Sequence, residues 1–522
     1  MAVFYNAGEQ KIRPGVYQRH VNLGNVVASG AQDGICAIPI RANWGPLGKV
    51  VRVTNPLQLT EIYGSGTYAG ATYTVPAAAA MFAGGASTVL TYRLGSADNA
   101  QAATKSITFT PATPEQGEDP VANLNGGTVV FTAKYSGTMP ISISVTRKTN
   151  AIKQLTVYAN NAQVELFEFA ANAPSGTSEG DPETVTTQEG PNLVAATAAS
   201  NYVTITATPT SPATVGPTVV PVTPVASGHL TGGANPTSIA ITDYQNAFEA
   251  FERYYYNTIA LDIPDDGTVI AAENNGYMPV SQALQAYLDD AYLYGKLGIA
   301  VVGEATTVTF ETRMAHAQAF NDAKVVYLGG GWMNGTDSYD GALGICYTAG
   351  VIASTPSNAG ITHDVINGAT DLCEALTFSQ YEDAILSGML MVSMSPDGSI
   401  WYDSGINTLT NPDDATQDAG WKKIRRVKVR FEVIDRLDRA LAPKVGQISA
   451  DTDGISDVIQ SGQRVLDLMA NNEGKLQPGA SFIEDPDNPF TTDSAWFIIQ
   501  AVDIDSLEKI YLQYQFRYSQ NA

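Results

Sequence analysis

The chain is poor in charge, in basic residues above all, and it has little cysteine, little histidine and no long apolar run. Only 16% of its 522 residues are charged, and 29 Lys and Arg face 52 Asp and Glu for a net charge of −23. That deficit excludes a general nucleic-acid binder, because a phosphate backbone selects a positive surface. Three cysteines, Cys36, Cys346 and Cys373, make neither a disulfide framework nor a CxxC pair for zinc. His20, His229, His316 and His363 lie far apart and share no metal-ligand spacing, so no cofactor is expected. No stretch reaches the roughly 18–20 apolar residues that cross a bilayer. The nearest, the alanine run 77–80, is soon broken by Gly84, Gly85 and Ser87. The first residues also lack the apolar segment of a secretory signal. The expectation is therefore a chain made in the cytoplasm, without direct membrane insertion.

What is present is core material. Apolar residues make up 44% of a length that suits two to four domains, and 47 Gly with 27 Pro imply many turns. A large chain with so few charges points to a surface covered by copies of itself; the plainer reading is a Thr- and Ala-rich globule.

Composition divides the chain. From about 100 to 235 it is rich in Thr, Ala, Pro and Val, with alternating runs at 128–135 and 202–208 separated by Pro/Gly/Asp clusters. That pattern predicts short strands of an inserted β-sandwich, left through the Pro-rich stretch 208–224. After Gly233 the period becomes helical. Thr242 is placed to cap a helix bearing Tyr244, Phe248, Phe251 and Tyr255; further helices are predicted from Ser281 and over 310–320. Apolar strands at 257–263, 298–302 and 324–328 alternate with them, which predicts a mostly parallel α/β sheet. A covering helix is expected over 341–354, a capping box at Ser379–Glu382, and a hairpin turned at Pro396-Asp397-Gly398. In 421–444 nine basic residues face three acidic ones. Val427, Val429, Phe431 and Val433 alternate there, whereas Ile434, Leu437 and Leu441 have helical spacing, so a strand-to-helix transition is expected. A helix over 455–469 and strands over 496–504 and 509–518 complete the reading.

Catalytic patterns fail on context. Gly176–Gly180 matches GxSxG without the strand and helix of a nucleophile elbow. Gly64–Gly70 is too long for a dinucleotide fingerprint, and no Gly-Lys dipeptide is followed by the Ser or Thr of a P-loop. Asp451–Asp457 lacks a full Ca²⁺ loop and reads as a turn. His363 and Asp364 with Cys373 could be assembled into a nucleophilic set, but Cys346 and Cys373 sit in apolar runs that suit buried helical thiols. The expectation is not an enzyme.

The two ends differ from all this. Val16, Tyr17, Gln18 and Arg19 lie in an alternating run with no neighbouring partner strand. Leu512, Tyr514, Phe516 and Tyr518 belong to a long alternation from Ile510. The simplest role for such segments is an edge strand of their own domain. They are equally the simplest way to add a strand to a neighbour, since a sheet edge is a row of unpaired donors and acceptors.

With these ends in view the chain resembles the tail sheath proteins of contractile-tailed phages and phage-tail-like particles. The resemblance rests on Arg13–Tyr17, Trp44-Gly-Pro46 with Leu59–Gly64, Ala349-Gly350, Gly405–Leu409, Ile424–Val427 through Asp435, and Asp505–Tyr511. It spans residues 11–95 and 240–518 in order. It implies an α+β multidomain fold: an N-terminal arm (1–25), the first part of an α/β core with a mixed sheet (26–99), an inserted all-β outer domain (100–235), the rest of the core (236–420), and a C-terminal domain with a terminal strand arm (421–522). It also implies a structural subunit of a contractile injection system. Such subunits form a helical homo-oligomer of hexameric rings around a tail tube, with baseplate and tail terminator proteins as further partners, in a virion tail assembled in the host bacterial cytoplasm. Contraction then drives the tube through the target envelope for genome ejection. Within it, Val16–Arg19 and Leu512, Tyr514, Phe516 and Tyr518 are expected as inter-subunit strands. The basic residues Lys422, Lys423, Arg425, Arg426, Lys428 and Arg430 are expected to face the tube. A surface-array or adhesin-like β-sandwich protein is the alternative, favoured by the Thr/Ala-rich middle.

Overall fold

Near-continuous apolar runs become the interior strands of one sheet, because a strand covered on both faces has no polar side to alternate with. The computed structural model describes residues 3–4, 17–18, 33–64, 74–109, 127–148, 152–170, 193–209, 225–236, 239–262, 279–413, 417–491 and 493–516. The chain divides into two units, residues 33–427 with 506–522, and residues 1–32 with 428–505.

The larger unit is built on a seven-stranded sheet in the order Met389–Leu390, Val325–Leu328, Ile299–Gly303, Thr258–Ala260, Ile35–Ile40, Thr88–Arg93, Val50–Val53. Every pairing is parallel except that of Val50–Val53 with Thr88–Arg93, so the sheet is mixed. Helices Ile241–Phe251, Pro279–Leu293 and Phe310–Phe320 cover one face, burying Tyr244, Phe248, Phe251, Leu284, Leu288 and Phe320 with Ile259, Ala300, Val302 and Tyr327. Each large side chain so buried contributes about 1.5–3 kcal/mol. Ile35 and Ala37 belong to that core, whereas Cys36 between them reaches the Ala349 carbonyl in helix Ala342–Ser354 on the opposite face. There a Cβ on Gly350 would lie 2.2 Å from the Met81 carbonyl oxygen of helix Val75–Ala83, so only glycine permits this crossing.

The predicted β-rich stretch forms two antiparallel sheets. One orders Ala162–Ala170, Ile152–Ala159, Ile141–Arg147 and Val225–His229; the other orders Val203–Pro209, Gly127–Ser136 and Ala102–Phe109. Phe131, Ile143, Val157 and Phe169 share one core. Asn160 and Asn161, both at positive φ, form the two-residue turn that matches strand twist in a hairpin. Trp44, from outside the stretch, also enters this core and stacks at 6.3 Å on Tyr202. The stretch enters and leaves side by side, for Gln101 and Ala234 exchange backbone bonds of 2.9 and 3.0 Å.

In the smaller unit, helix Thr452–Asp467, capped by Asp451, packs with Val429, Val433 and Leu437 and with the hairpin Ser481–Glu484/Phe497–Gln500. Asp451 accepts from the Gly454 amide at 2.8 Å, so the Asp451–Asp457 motif is a helix start. Arg436 and Lys475 share Glu432 and Glu473 in a partly buried ionic network at 2.5–2.8 Å.

Four local expectations are corrected. Residues Ile424–Leu441 are one helix, with no strand before it. Residues two apart on a helix lie about 200° apart, so an alternating run places apolar groups on two opposite faces. Val429, Val433 and Leu437 fill one face, and Ile424, Val427 and Phe431 are buried on the other. The capping box is Thr377 with Gln380, whose side chain accepts from the Thr377 amide at 2.9 Å. In the first predicted helix Asp243, in place of Thr242, satisfies the end by accepting from the Ala240 amide at 2.8 Å. Cys373 is half-buried beside the two-residue strand Asp371–Leu372, outside any helix.

Candidate assembly surfaces

The C-terminal arm is held at its root and then let go. Glu508 forms an ion pair with Lys423 at 2.9 Å and accepts from the hydroxyls of Thr362 and Ser506, each at 3.2 Å. The Thr362 hydroxyl in turn accepts from the Gly405 amide at 2.9 Å, which fixes its orientation. From Lys509 to Phe516 every residue is exposed, including Tyr511 at 88% and Phe516 at 93%. The alternating pattern predicted a strand here, yet no ladder includes these residues. A strand needs an edge to pair with, and this segment finds none. Tyr518 lies outside the described residues. At the other end the expectation of no nearby partner strand is corrected: Tyr17 and Gln18 pair in parallel with Val3 and Phe4 of the same chain, while Val16 and Arg19 lie outside the described residues.

The two-stranded hairpin of the smaller unit has unequal edges. On the Ser481–Glu484 side, the Gln463 side chain accepts from the Phe482 amide at 2.9 Å and donates to the Ala480 carbonyl at 2.8 Å. On the Phe497–Gln500 side no such cap exists among the described residues, and Trp496, Ile499 and Val502 are 43, 44 and 54% exposed.

The six basic residues run from the turn Ala419–Lys422 into the first turns of helix Ile424–Leu441, and all are half-buried. Lys422 donates to the Ile385 carbonyl at 3.3 Å, and desolvation lowers its pKa. Lys423 holds Glu508, Arg430 pairs with Asp503 at 3.1 Å, and the Arg426 guanidinium lies where a Gly420 side chain would stand. Arg425 and Lys428 complete the run.

Open α/β sheets hold ligands outside the carboxyl ends of strands where the order reverses, here between Ile35–Ile40 and Thr258–Ala260. In this chain that crevice is filled. Arg41 and Asp262, 2 and 1% exposed, approach to 3.6 Å, and Asp262 accepts from Tyr244 at 2.8 Å and Thr74 at 2.9 Å. Burial raises the Asp262 pKa, against the pull of Arg41. His363 stacks on Trp401 at 4.0 Å, and no group of three metal-binding side chains occurs among the described residues. The GxSxG stretch lies outside them.

Two family models match this chain: the phage tail sheath protein central domain over residues 238–408, and the N-terminal region of domain III of the tail sheath protein Gp18 over residues 34–94. Both fall on the larger unit, one on the first strands of its sheet and the other on the rest.

Residues 34–94 and 238–408 match tail sheath domains.

The fold agrees. The sheath tail protein of Desulfitobacterium hafniense superposes with a TM-score of 0.62 at 17% identity, covering 94% of this chain and 100% of that one. The sheath tail protein of Listeria innocua gives 0.60 at 16% identity, covering 91% and 96%. The uncharacterized protein YqbK of Bacillus subtilis is 22% identical over 492 residues, 90% of each chain. Within this chain, sequence reasoning missed Gln463 and Thr362, because a side chain that caps a distant backbone group leaves no periodic signal. Glu508 lay inside the resembling segment 505–511, but nothing there announced its partner.

Proposed function

We propose that this chain is a tail sheath subunit that polymerises helically, as stacked hexameric rings, around a tail tube and shortens to drive that tube through a target cell envelope. The observation that supports this reading is two parts of one chain that lack a partner among the described residues: an exposed, alternating terminal segment without a ladder, and one edge of a hairpin. Each removes the other's deficit if they meet between copies. Backbone bonds then keep neighbours linked while the folded units rotate and repack, and the linkers absorb the change. Val16–Arg19 at the other end serve as the second inter-subunit strand, through the edge that Val3 and Phe4 do not occupy. The energy for shortening is stored in the assembled sleeve.

The basic stretch Lys422–Arg430 faces the tube. Half-buried charges already held by Glu508 and Asp503 supply register and modest, salt-sensitive contacts that break as the sleeve widens. The larger assembly is a tail or tail-like particle built in the host cytoplasm, with baseplate and terminator proteins at its ends. Negative-stain microscopy of purified protein tests the reading. Sleeves or rings are expected; two-dimensional sheets would favour a surface array, and dispersed particles would overturn polymerisation. Charge reversal at Lys422, Arg425 and Arg426 is expected to weaken tube-templated assembly and spare tube-free polymers. Unchanged co-assembly at low salt would remove the tube assignment.

A further inference from the structure

The β-rich stretch meets the seven-stranded sheet through a tight joint. Folded parts of one chain ordinarily shift against each other where flexible linkers join them. Here three backbones touch instead. A Cβ on Gly137 would lie 2.0 Å from the Asn43 carbonyl oxygen, and one on Gly233 would lie 2.2 Å from the Gly137 carbonyl oxygen. Gly137 also has φ +143°, a conformation that strains any other residue. The loop 42–45, the segment just after strand Gly127–Ser136 and the exit near residue 235 are thus stacked at backbone contact.

Arg93, the last residue of strand Thr88–Arg93 in the sheet, runs into that stack and is fully buried. Its guanidinium donates to the carbonyls of Ala42 at 3.0 Å, Gly45 at 2.8 Å and Ser136 at 2.8 Å, and reaches the Asn235 side-chain oxygen at 3.5 Å. Its donors sit in a rigid planar fork, so satisfying them together holds three separate segments in one arrangement. The Thr138 amide donates to the Asn43 carbonyl at 3.1 Å, and the Asn235 side chain donates to the Thr138 hydroxyl at 3.0 Å. Trp44 closes the joint by entering the core of the stretch, where it meets Tyr135 edge-on at 5.2 Å. Ala42, Asn43 and Asn235 are buried as well. Turning the stretch against the sheet would strip these groups of their partners where no solvent can replace them.

We infer that Arg93 locks the β-rich stretch to the sheet at one angle, so that the two move as a single lever. Arg93 is in this sense a positioning residue. The lock goes beyond the sheath reading above. In a sleeve whose subunits rotate, the stretch turns with the sheet through the same angle, and its far end travels further than the joint does. A tethered stretch would lag behind or swing.

Pulsed electron spin resonance on the isolated full-length subunit tests the lock. Cys373→Ser removes the half-exposed thiol and leaves Cys36 and Cys346, both fully buried. One spin-labelled pair, Thr204→Cys with Glu311→Cys, spans the joint. A reference pair, Glu249→Cys with Glu311→Cys, joins two helices on the sheet. All three labelled sites are exposed. The distance distribution across the joint is expected to be as narrow as the reference. In Arg93→Met it is expected to widen at least about twofold, while the reference pair keeps its width. Gly137→Ala, which drives the backbones of residues 43 and 137 apart, is expected to widen it too and serves where Arg93→Met does not fold. A broad distribution across the unaltered joint would overturn the single lever, whether or not either variant folds. An unaltered width in a folded variant would overturn the lock. Protein that never forms sleeves would overturn the sheath reading and leave this result standing, because the subunit is measured alone.

Discussion

Two sheets of this chain handle their edges in opposite ways. The seven-stranded sheet ends in the two-residue strand Met389–Leu390 on one side and in the short antiparallel strand Val50–Val53, with Arg52 exposed, on the other. Short and charged edges discourage further pairing, and helices on both faces complete the burial. Among the described residues, the hairpin of the smaller unit leaves one edge without a partner, beside exposed Trp496, Ile499 and Val502. The same backbone chemistry thus serves self-sufficiency in one place and incompleteness in the other. What separates them is whether the chain itself supplies the last strand.

The largest expected effect breaks the self-sufficient side. Phe248→Ala, at a fully buried site between helix and sheet, should cost about 3–5 kcal/mol, read by denaturant unfolding. Tyr514→Ser on the exposed arm should shift stability by less than about 0.5 kcal/mol and still reduce sleeve formation. A large stability loss from the arm variant would erase the contrast between the two regions.

Excision of the β-rich stretch sharpens the comparison next. Its ends lie together, since a Cβ on Gly95 would stand 2.4 Å from the Pro236 ring. Joining the flanks near Ser96 and Pro236, with Trp44→Ser to remove the ring left uncovered, is expected to give a folded subunit that still polymerises. Electron microscopy and thermal melting check it, and loss of polymer from a folded core would show that the stretch takes part in assembly.

A smaller effect is expected at the root of the arm. A partly exposed ion pair is worth about 0.2–1 kcal/mol, so Glu508→Gln should speed amide exchange over 506–510 by about two- to fivefold. Raising salt should bring the wild type toward the variant, and exchanging the charges between Glu508 and Lys423 should restore protection. Identical exchange in all three proteins would mean the pair does not hold the arm.

The smallest concerns the turn Pro396-Asp397-Gly398. Asp397 accepts from the Ser399 hydroxyl at 2.7 Å and its amide at 3.1 Å, and from the Ser395 hydroxyl, which together lower its pKa from 3.8 to about 2. A carboxyl lowered by folding stabilises the fold above its unfolded value, and that contribution fades as the pH falls toward 2. A carboxyl titration by NMR should give a midpoint near 2, and Asp397→Ala should match the wild type only at the acid end. A midpoint near 4 would remove these bonds from the account.

The sequence by itself determined which segments are strands of a buried parallel sheet, because continuous apolar runs between amphipathic helices leave few other arrangements. It also determined that residues 100–235 are β-rich and that both ends alternate, and its scattered motifs pointed to the tail sheath family. Tertiary structure decided what periodicity cannot encode. Val427 to Phe431 alternate as a strand would, yet they lie on a helix, because burial on two opposite faces produces the same pattern. That Glu508 meets Lys423, that Arg41 and Asp262 fill the crevice of the sheet, and that Gln463 caps one edge of a hairpin are pairings of residues distant in sequence. Such contacts depend on where the chain has brought its parts, and no local spacing carries that information.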